Sequence, residues 1–307
     1  MSRLQESLDE YLTLRRSVGF KLRDTEHMLR DFVAHLDRAG APTVTTGLAL
    51  AWAKRPVNVH PHRWRQRLTV ARGFAAYLHT LDAATEVPPR DLLVARRTRI
   101  APYLYADSEV ATLVSAAGRL APPFRAATYR TLLGVLAVTG MRMGEAIGLD
   151  QADVNWNDGV LTIRTSKFGR SRELVLHPTT VEAMRRYDRW RRQRPAASTP
   201  AFFISTTGNR LIHTNVQHTF RGLVRETGIG ADSTGRPPRL HDLRHTFAVN
   251  TVVNWYRDGG DVQGRLYLLS TYLGHVDPKD TYWYLSAAPQ LLALAGARLE
   301  ETLGDLP

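Results

Sequence analysis

Near its C-terminal end the chain places a tryptophan between two tyrosines, in Thr281-Tyr282-Trp283-Tyr284-Leu285, with Tyr284 nine residues after His275. His275 follows Gly274 at the close of an apolar helical pattern. A tyrosine hydroxyl is a plausible covalent nucleophile only if cations surround the group it attacks and stabilise the charge that develops there. The rest of the chain has to supply those cations.

Three other places offer candidates. Arg142 comes just after Gly140 at a helix start, where free N–H groups and the helix dipole already favour an anion. Its planar fork can hold two phosphate oxygens, and Glu145, one turn later, can orient it. Lys167 occupies the tip of an expected β-hairpin and is one of only four lysines among 41 basic residues. Unlike arginine, lysine can give up a proton, which makes it a candidate general acid. In His241-Asp242-Leu243-Arg244-His245, the three-residue spacing puts His241 and Arg244 on one helix face. Taken singly, each of these has a plain structural reading: a surface arginine, a solvated hairpin lysine, a capped helix with a partly buried histidine, an interfacial aromatic. Taken together they match one chemistry. Attack on a phosphodiester needs a nucleophile, charge stabilisation on the non-bridging oxygens and a proton for the leaving oxygen. Tyr284, Arg142, Arg244, His241, His275 and Lys167 meet those needs. No carboxylate cluster with metal-ligand spacing is present, so neither a metal nor another cofactor is expected.

The elements that must hold these residues follow from periodicity. Apolar spacing predicts two helices over residues 4–38, separated at Gly19, a third over Thr46–Ala53 and a fourth over His62–Leu81. On the fourth, Arg65 and Arg72 lie opposite the apolar face and Arg63 and Arg67 crowd the first turn, so it could lie along phosphates or present a solvated face. Pro88-Pro89, the arginines at 96, 97 and 99, and Pro102 mark a linker over 88–106. A helix with Asp107 as its N-cap opens the second domain, followed by an apolar helix that starts at Pro122-Pro123, runs through Val138 and stops at Thr139-Gly140, and by another that starts over Met141–Ile147. Three short strands are expected about Val154–Trp156, Val160–Thr165 and Glu173–Leu176, the first pair joined by Asn157-Asp158-Gly159. Helices then cover Thr180–Arg192, Thr214–Thr227, Leu240–Tyr256, Asp261–Leu273 and Pro289–Leu303. The organisation is thus a helical domain over 1–87, a linker over 88–106 and a domain over 107–307, mainly α with a small antiparallel β-sheet.

The totals bound the partner. The 307 residues suit about two domains. The net charge is +12; residues 1–100 hold 17 basic and 10 acidic side chains and the remainder 24 and 19, so both parts are basic. A polyanion, most commonly nucleic acid, is the natural partner, although an arginine-biased composition would give the same total. The absence of cysteine excludes disulfides and thiol catalysis. No apolar run reaches a membrane span and the N-terminus has no apolar leader, so a cytoplasmic location is expected.

The segments Thr139-Gly140-Met141-Arg142-Met143-Gly144-Glu145, Lys167 in its hairpin, His241-Asp242-Leu243-Arg244-His245-Thr246-Phe247-Ala248, Leu273-Gly274-His275 and Tyr284 resemble, in order and spacing, the tyrosine recombinases, which include phage integrases, Xer-type recombinases and related transposases. The Thr-Tyr-Trp-Tyr-Leu string is similar to the transposon-encoded branch. The resemblance, covering about residues 1–290, implies an N-terminal core-binding domain of SAM-like helical form and a catalytic domain of the DNA breaking-rejoining fold that clamp double-stranded DNA. It implies that Tyr284 attacks a phosphate to form a 3′-phosphotyrosyl bond and release a 5′-hydroxyl. Arg142, Arg244 and His275 would stabilise the phosphorane, Lys167 would protonate the leaving oxygen and His241 would assist proton transfer. It further implies a tetramer on two duplexes, exchange of the leucine-rich last helix between protomers, and accessory DNA-bending proteins in some systems. Two departures stand out: a longer segment between His245 and Gly274, around Asp258-Gly259-Gly260-Asp261, and a rival tyrosine, Tyr282. Two readings compete with recombination, a type IB topoisomerase-like relaxing enzyme and a DNA-binding protein whose catalysis has decayed.

Overall fold

The computed structural model describes residues 2–20, 22–93, 101–164, 171–194, 199–231, 235–275, 277 and 279–287, with Leu291, Ala293 and Gly296; of Arg23 and residues 284–287 it describes the backbone alone. Two compact units are present, Met1–Arg99 and Ile100–Pro307.

The first unit is four helices: α1 (Arg3–Ser17), α2 (Arg23–Arg38), α3 (Thr46–Lys54) and α4 (Pro61–Leu81). Local chemistry starts each of α1, α3 and α4. Ser2 and Thr45 accept hydrogen bonds from the amides of Gln5 and Leu48, and Pro61 occupies the first position of α4, where no N–H is needed. Leu8, Leu12, Leu29, Phe32, Leu36, Trp52 and Phe74 form its core. Burying side chains of this size contributes about 1.5–3 kcal/mol each. One polar node sits against that core. Asp31 accepts from Trp52 Nε1 at 2.9 Å and from Arg67 Nη2 at 3.0 Å, and the Arg67 guanidinium lies 3.8 Å over the Trp52 ring. Arg67 is therefore a packing residue, buried and paired, whereas Arg65 remains exposed.

The second unit carries α5 (Asp107–Ala117), α6 (Pro123–Thr139), α7 (Met143–Gly148), β1 (Val154–Asn155), β2 (Val160–Ile163), β3 (Arg172–Val175), α8 (Pro178–Arg192), α9 (His213–Thr227), α10 (Asp242–Arg257), α11 (Val262–Leu273) and α12 (Lys279–Ala287). The cap of α5 is Ala106, not Asp107; Glu109 reaches back to accept from the Ala106 amide at 2.8 Å. Tyr103 and Tyr105, in the segment expected to link the domains, are buried in the second unit's core. The sheet is antiparallel in the order β1-β2-β3, with Val154 opposite Leu161 and Ile163 opposite Arg172. Its inward residues Leu161, Ile163 and Leu174 meet Leu132, Leu136, Tyr187, Phe202 and Phe220. A second apolar cluster joins α10 and α11 through Val249, Val252, Leu266, Leu269 and Leu273, with Leu291 included. The helix α12 was not separately expected from periodicity, and most of the helix expected over 289–303 lies outside the described residues.

Two left-handed glycines then shape the functional region. The helix α6 ends at Gly140, at φ 59°, and α11 ends at Gly274, at φ 69°. A β-carbon on Gly140 would sit 2.5 Å from the Phe247 ring, and one on Gly274 would sit 2.8 Å from the Arg172 guanidinium. Both turns need a residue that tolerates positive φ and has no side chain.

Candidate active site

Gly140 turns the chain directly into Arg142, the N-cap of α7. Gly274 turns it directly into His275, whose amide donates back to Ser270 at 2.9 Å. The two turns meet in space. Arg142 Nη2 donates to the Gly274 carbonyl at 3.0 Å and its Nη1 to the Leu273 carbonyl at 3.5 Å. Arg244, on α10 and only 2% exposed, donates to the Leu273 carbonyl at 2.7 Å and to the Gly140 carbonyl at 2.8 Å. Carbonyls at the end of a helix carry partial negative charge and lack intrahelical donors, so cations settle there readily.

Glu145 is the carboxylate of this region, with its side chain 8% exposed. It accepts from the Arg142 amide and from Arg142 Nη1, both at 2.9 Å, which fixes the arginine from two directions. It also accepts both terminal nitrogens of Arg172, at 3.1 and 2.7 Å. Burial alone would raise its pKa, but hydrogen bonds and charge from Arg172 and Arg142 hold the carboxyl below its ordinary value. Arg172 is the residue that sequence reading missed. It stands at the start of β3, and its Nε donates to the Tyr272 carbonyl at 2.7 Å. Its signal in the sequence was slight: an arginine just beyond the expected hairpin, with partners 27 and 100 residues away.

The histidines gather around α10 and α12. His241 caps α10, and its ring lies 4.8 Å, edge to face, from that of His245 one turn on. The next contact is Trp283, 5.5 Å from His245. His275 Nδ1 lies 2.7 Å from the Thr281 hydroxyl, and Thr281 is buried at 1% exposure. Crowding by protein, then the charges of Arg244 and Arg142, push His275 down to about 3. The same desolvation, followed by Arg244 and Arg239, lowers His241 to about 4, and His245 falls to about 3 by burial and then by His241. His245 and His275 are therefore uncharged at physiological pH. Asp242, fully buried, anchors the start of α10 by accepting from the Arg239 side chain at 2.8 and 3.2 Å. Thr246 ties the same turn to the Tyr105 amide at 3.0 Å.

Of the six residues expected to do chemistry, Arg142, Arg244 and His275 converge on the turn at 272–275, and His241 lies on the same helix as Arg244. Tyr284 belongs to α12, the helix that also holds Thr281, but its side chain lies outside the described residues, as does Lys167 between β2 and β3. Its rival Tyr282 is 54% exposed.

The Phage integrase family profile matches residues 105–290. Two Sinorhizobium fredii (strain NBRC 101917 / NGR234) proteins named integrase/recombinase are similar over nearly their whole lengths. The first, y4rB, is 44% identical over 99% of this chain and 99% of its own. The second, y4rE, is 37% identical over 96% and 95%. Among solved structures, the XerH site-specific recombinase bound to palindromic difH substrate shares the fold, with a TM-score of 0.65 and 17% identity over 97% of this chain and 83% of its own. The Tn1549 transposon integrase in complex with transposon right-end DNA does so at a TM-score of 0.65 and 16% identity, over 98% and 99%. The chain belongs to the phage integrase family, as a site-specific tyrosine recombinase that cleaves and rejoins DNA strands.

Proposed function

We propose that Tyr284 is the nucleophile and that Arg142, Lys167, His241, Arg244 and His275 serve it. The observation that carries this reading is the convergence of Arg142, Arg244 and His275 on one turn, followed at once by the helix of Tyr284. The phenolic oxygen of Tyr284 bonds to phosphorus as the bond from phosphorus to the 5′ oxygen breaks. His241, neutral before reaction, takes the phenolic proton. Arg142 and Arg244 stabilise the charge on the non-bridging oxygens, with His275 as a further donor. Lys167 gives a proton to the leaving 5′ oxygen. The phosphotyrosine keeps the energy of the broken bond, so an incoming 5′-hydroxyl can reverse the steps without ATP.

In this reading the enzyme works on double-stranded DNA in the cytoplasm, at the nucleoid, as a tetramer holding two duplexes. The leucine stripe over 291–303 supports an exchange of last helices between protomers. Leu291 lies in the apolar cluster of α10 and α11 within the single chain, so an exchange would trade packing in cis for the same packing in trans. No described helix is long and apolar enough to cross a membrane. The strand exchange would serve integration, excision or transposition.

A suicide substrate with a nick beside the cleavage site tests the assignment, because the released short strand diffuses away and traps the covalent complex. Wild-type protein and Tyr282→Phe should form the protein–DNA adduct and Tyr284→Phe should not. An adduct from Tyr284→Phe but none from Tyr282→Phe would move the nucleophile to Tyr282.

A further inference from the structure

We propose that Arg172 is a positioning residue for the cleavage reaction, acting on the phosphate through Arg142. This rests on the recombinase reading above and adds a residue to it. Arg172 has its side chain 11% exposed and directs its fork into the protein, onto a carboxylate. Both terminal nitrogens are bonded to the two oxygens of Glu145, and Nε is bonded to the Tyr272 carbonyl. Glu145 in turn holds Arg142 by its amide and by Nη1. The chain of contacts therefore runs from β3 through Arg172 and Glu145 to Arg142, with a second branch to the turn that also receives Arg244.

Glu145 buried beside Arg142 alone would be free to swing with that side chain. With a second arginine gripping both oxygens, its position is set by β3 and by the end of α11. A lysine at 172 would keep the charge but could not bridge two carboxylate oxygens and a carbonyl at once. Gly274 completes the fit, since any β-carbon there would collide with this guanidinium.

The test measures adduct formation on the nicked substrate at saturating protein, with site-DNA affinity recorded in parallel. The rates are taken at a temperature where circular dichroism shows each variant folded. Arg172→Lys should bind DNA within about twofold of wild type yet cleave on the order of 100-fold more slowly, the scale of an ångström's misplacement. Combined with Arg142→Lys, it should slow cleavage little beyond Arg142→Lys alone, because both act through one guanidinium. Should Arg172→Lys fail to fold at any temperature, Glu145→Gln takes its place in the cycle, with the same expectation. Fully additive losses would mean a general structural role and overturn the proposal, as would wild-type cleavage by Arg172→Lys. Absence of an adduct from wild-type protein would instead sink the recombinase reading itself.

Discussion

The imidazole of His275 is held by the hydroxyl of Thr281, 2.7 Å from Nδ1, across the turn that separates α11 from α12. Whichever partner donates, the bond fixes the rotation of the ring and ties it to the helix that carries Tyr284, three residues beyond Thr281. Thr281→Val keeps the shape and removes the hydroxyl. It should slow adduct formation about 10-fold, a loss of about 1.4 kcal/mol, the upper range for one hydrogen bond. The melting temperature should fall only slightly. A rate unchanged from wild type would show that His275 does not depend on this bond.

Lys167 is open to a chemical test that needs no geometry. If it protonates the leaving 5′ oxygen, Lys167→Ala should slow cleavage of ordinary DNA by a factor of about 100 or more. DNA with a bridging 5′-phosphorothiolate has a sulfur leaving group that needs little protonation, and there the loss should largely vanish. Equal slowing on both substrates would remove the general-acid role.

The half-buried histidines His245 and His275 make the stability of the free protein depend on pH. His245 and His275 titrate near 3 in the folded state, against about 6.5 when unfolded. Below about pH 6.5 the unfolded chain therefore binds protons that the folded chain refuses. Stability falls as pH drops through that window and is unaffected above it. At pH 5 each ring should cost about 1 kcal/mol, roughly half of the full linkage value because both keep some solvent contact. Thermal denaturation at pH 7.5 and pH 5 checks this, and His245→Gln should shrink the difference. A flat stability profile between those pH values would contradict it.

On α4, exposure separates cations by role. Arg65→Ala with Arg72→Ala should weaken binding to duplex DNA and lower the salt slope by about one for each phosphate no longer neutralised. Arg67→Ala should leave that slope unchanged and destabilise the first unit by about 2 kcal/mol, because it removes one of the partners of Asp31 and uncovers Trp52. A salt slope that falls equally for all three would mean that Arg67 reaches DNA after all.

What sequence could show follows from how far apart partners lie along the chain. Helix spans, the Asn157-Asp158-Gly159 hairpin and the pairing of Glu145 with Arg142 depend on neighbours within a few residues, and they were legible. The order and spacing of Arg142, His241, Arg244 and His275 were legible as a family resemblance. The grip of Arg172 on Glu145 and on Tyr272 depends on closing loops of 27 and 100 residues, and no local pattern announces it. Arg67 shows the same limit: the sequence places it only in the crowded first turn of its helix, and its partner Asp31 arrives from α2, 36 residues away.

The shared turn at 272–274 has a consequence for control. Three guanidiniums from three different elements rest on the carbonyls of Tyr272, Leu273 and Gly274. A shift of that one turn would be felt by all three, against their other anchors on Glu145 and the Gly140 carbonyl. A contact that moves the end of α11 by about an ångström would silence or assemble the whole cationic set in one step, at a cost in reaction rate of about 100-fold.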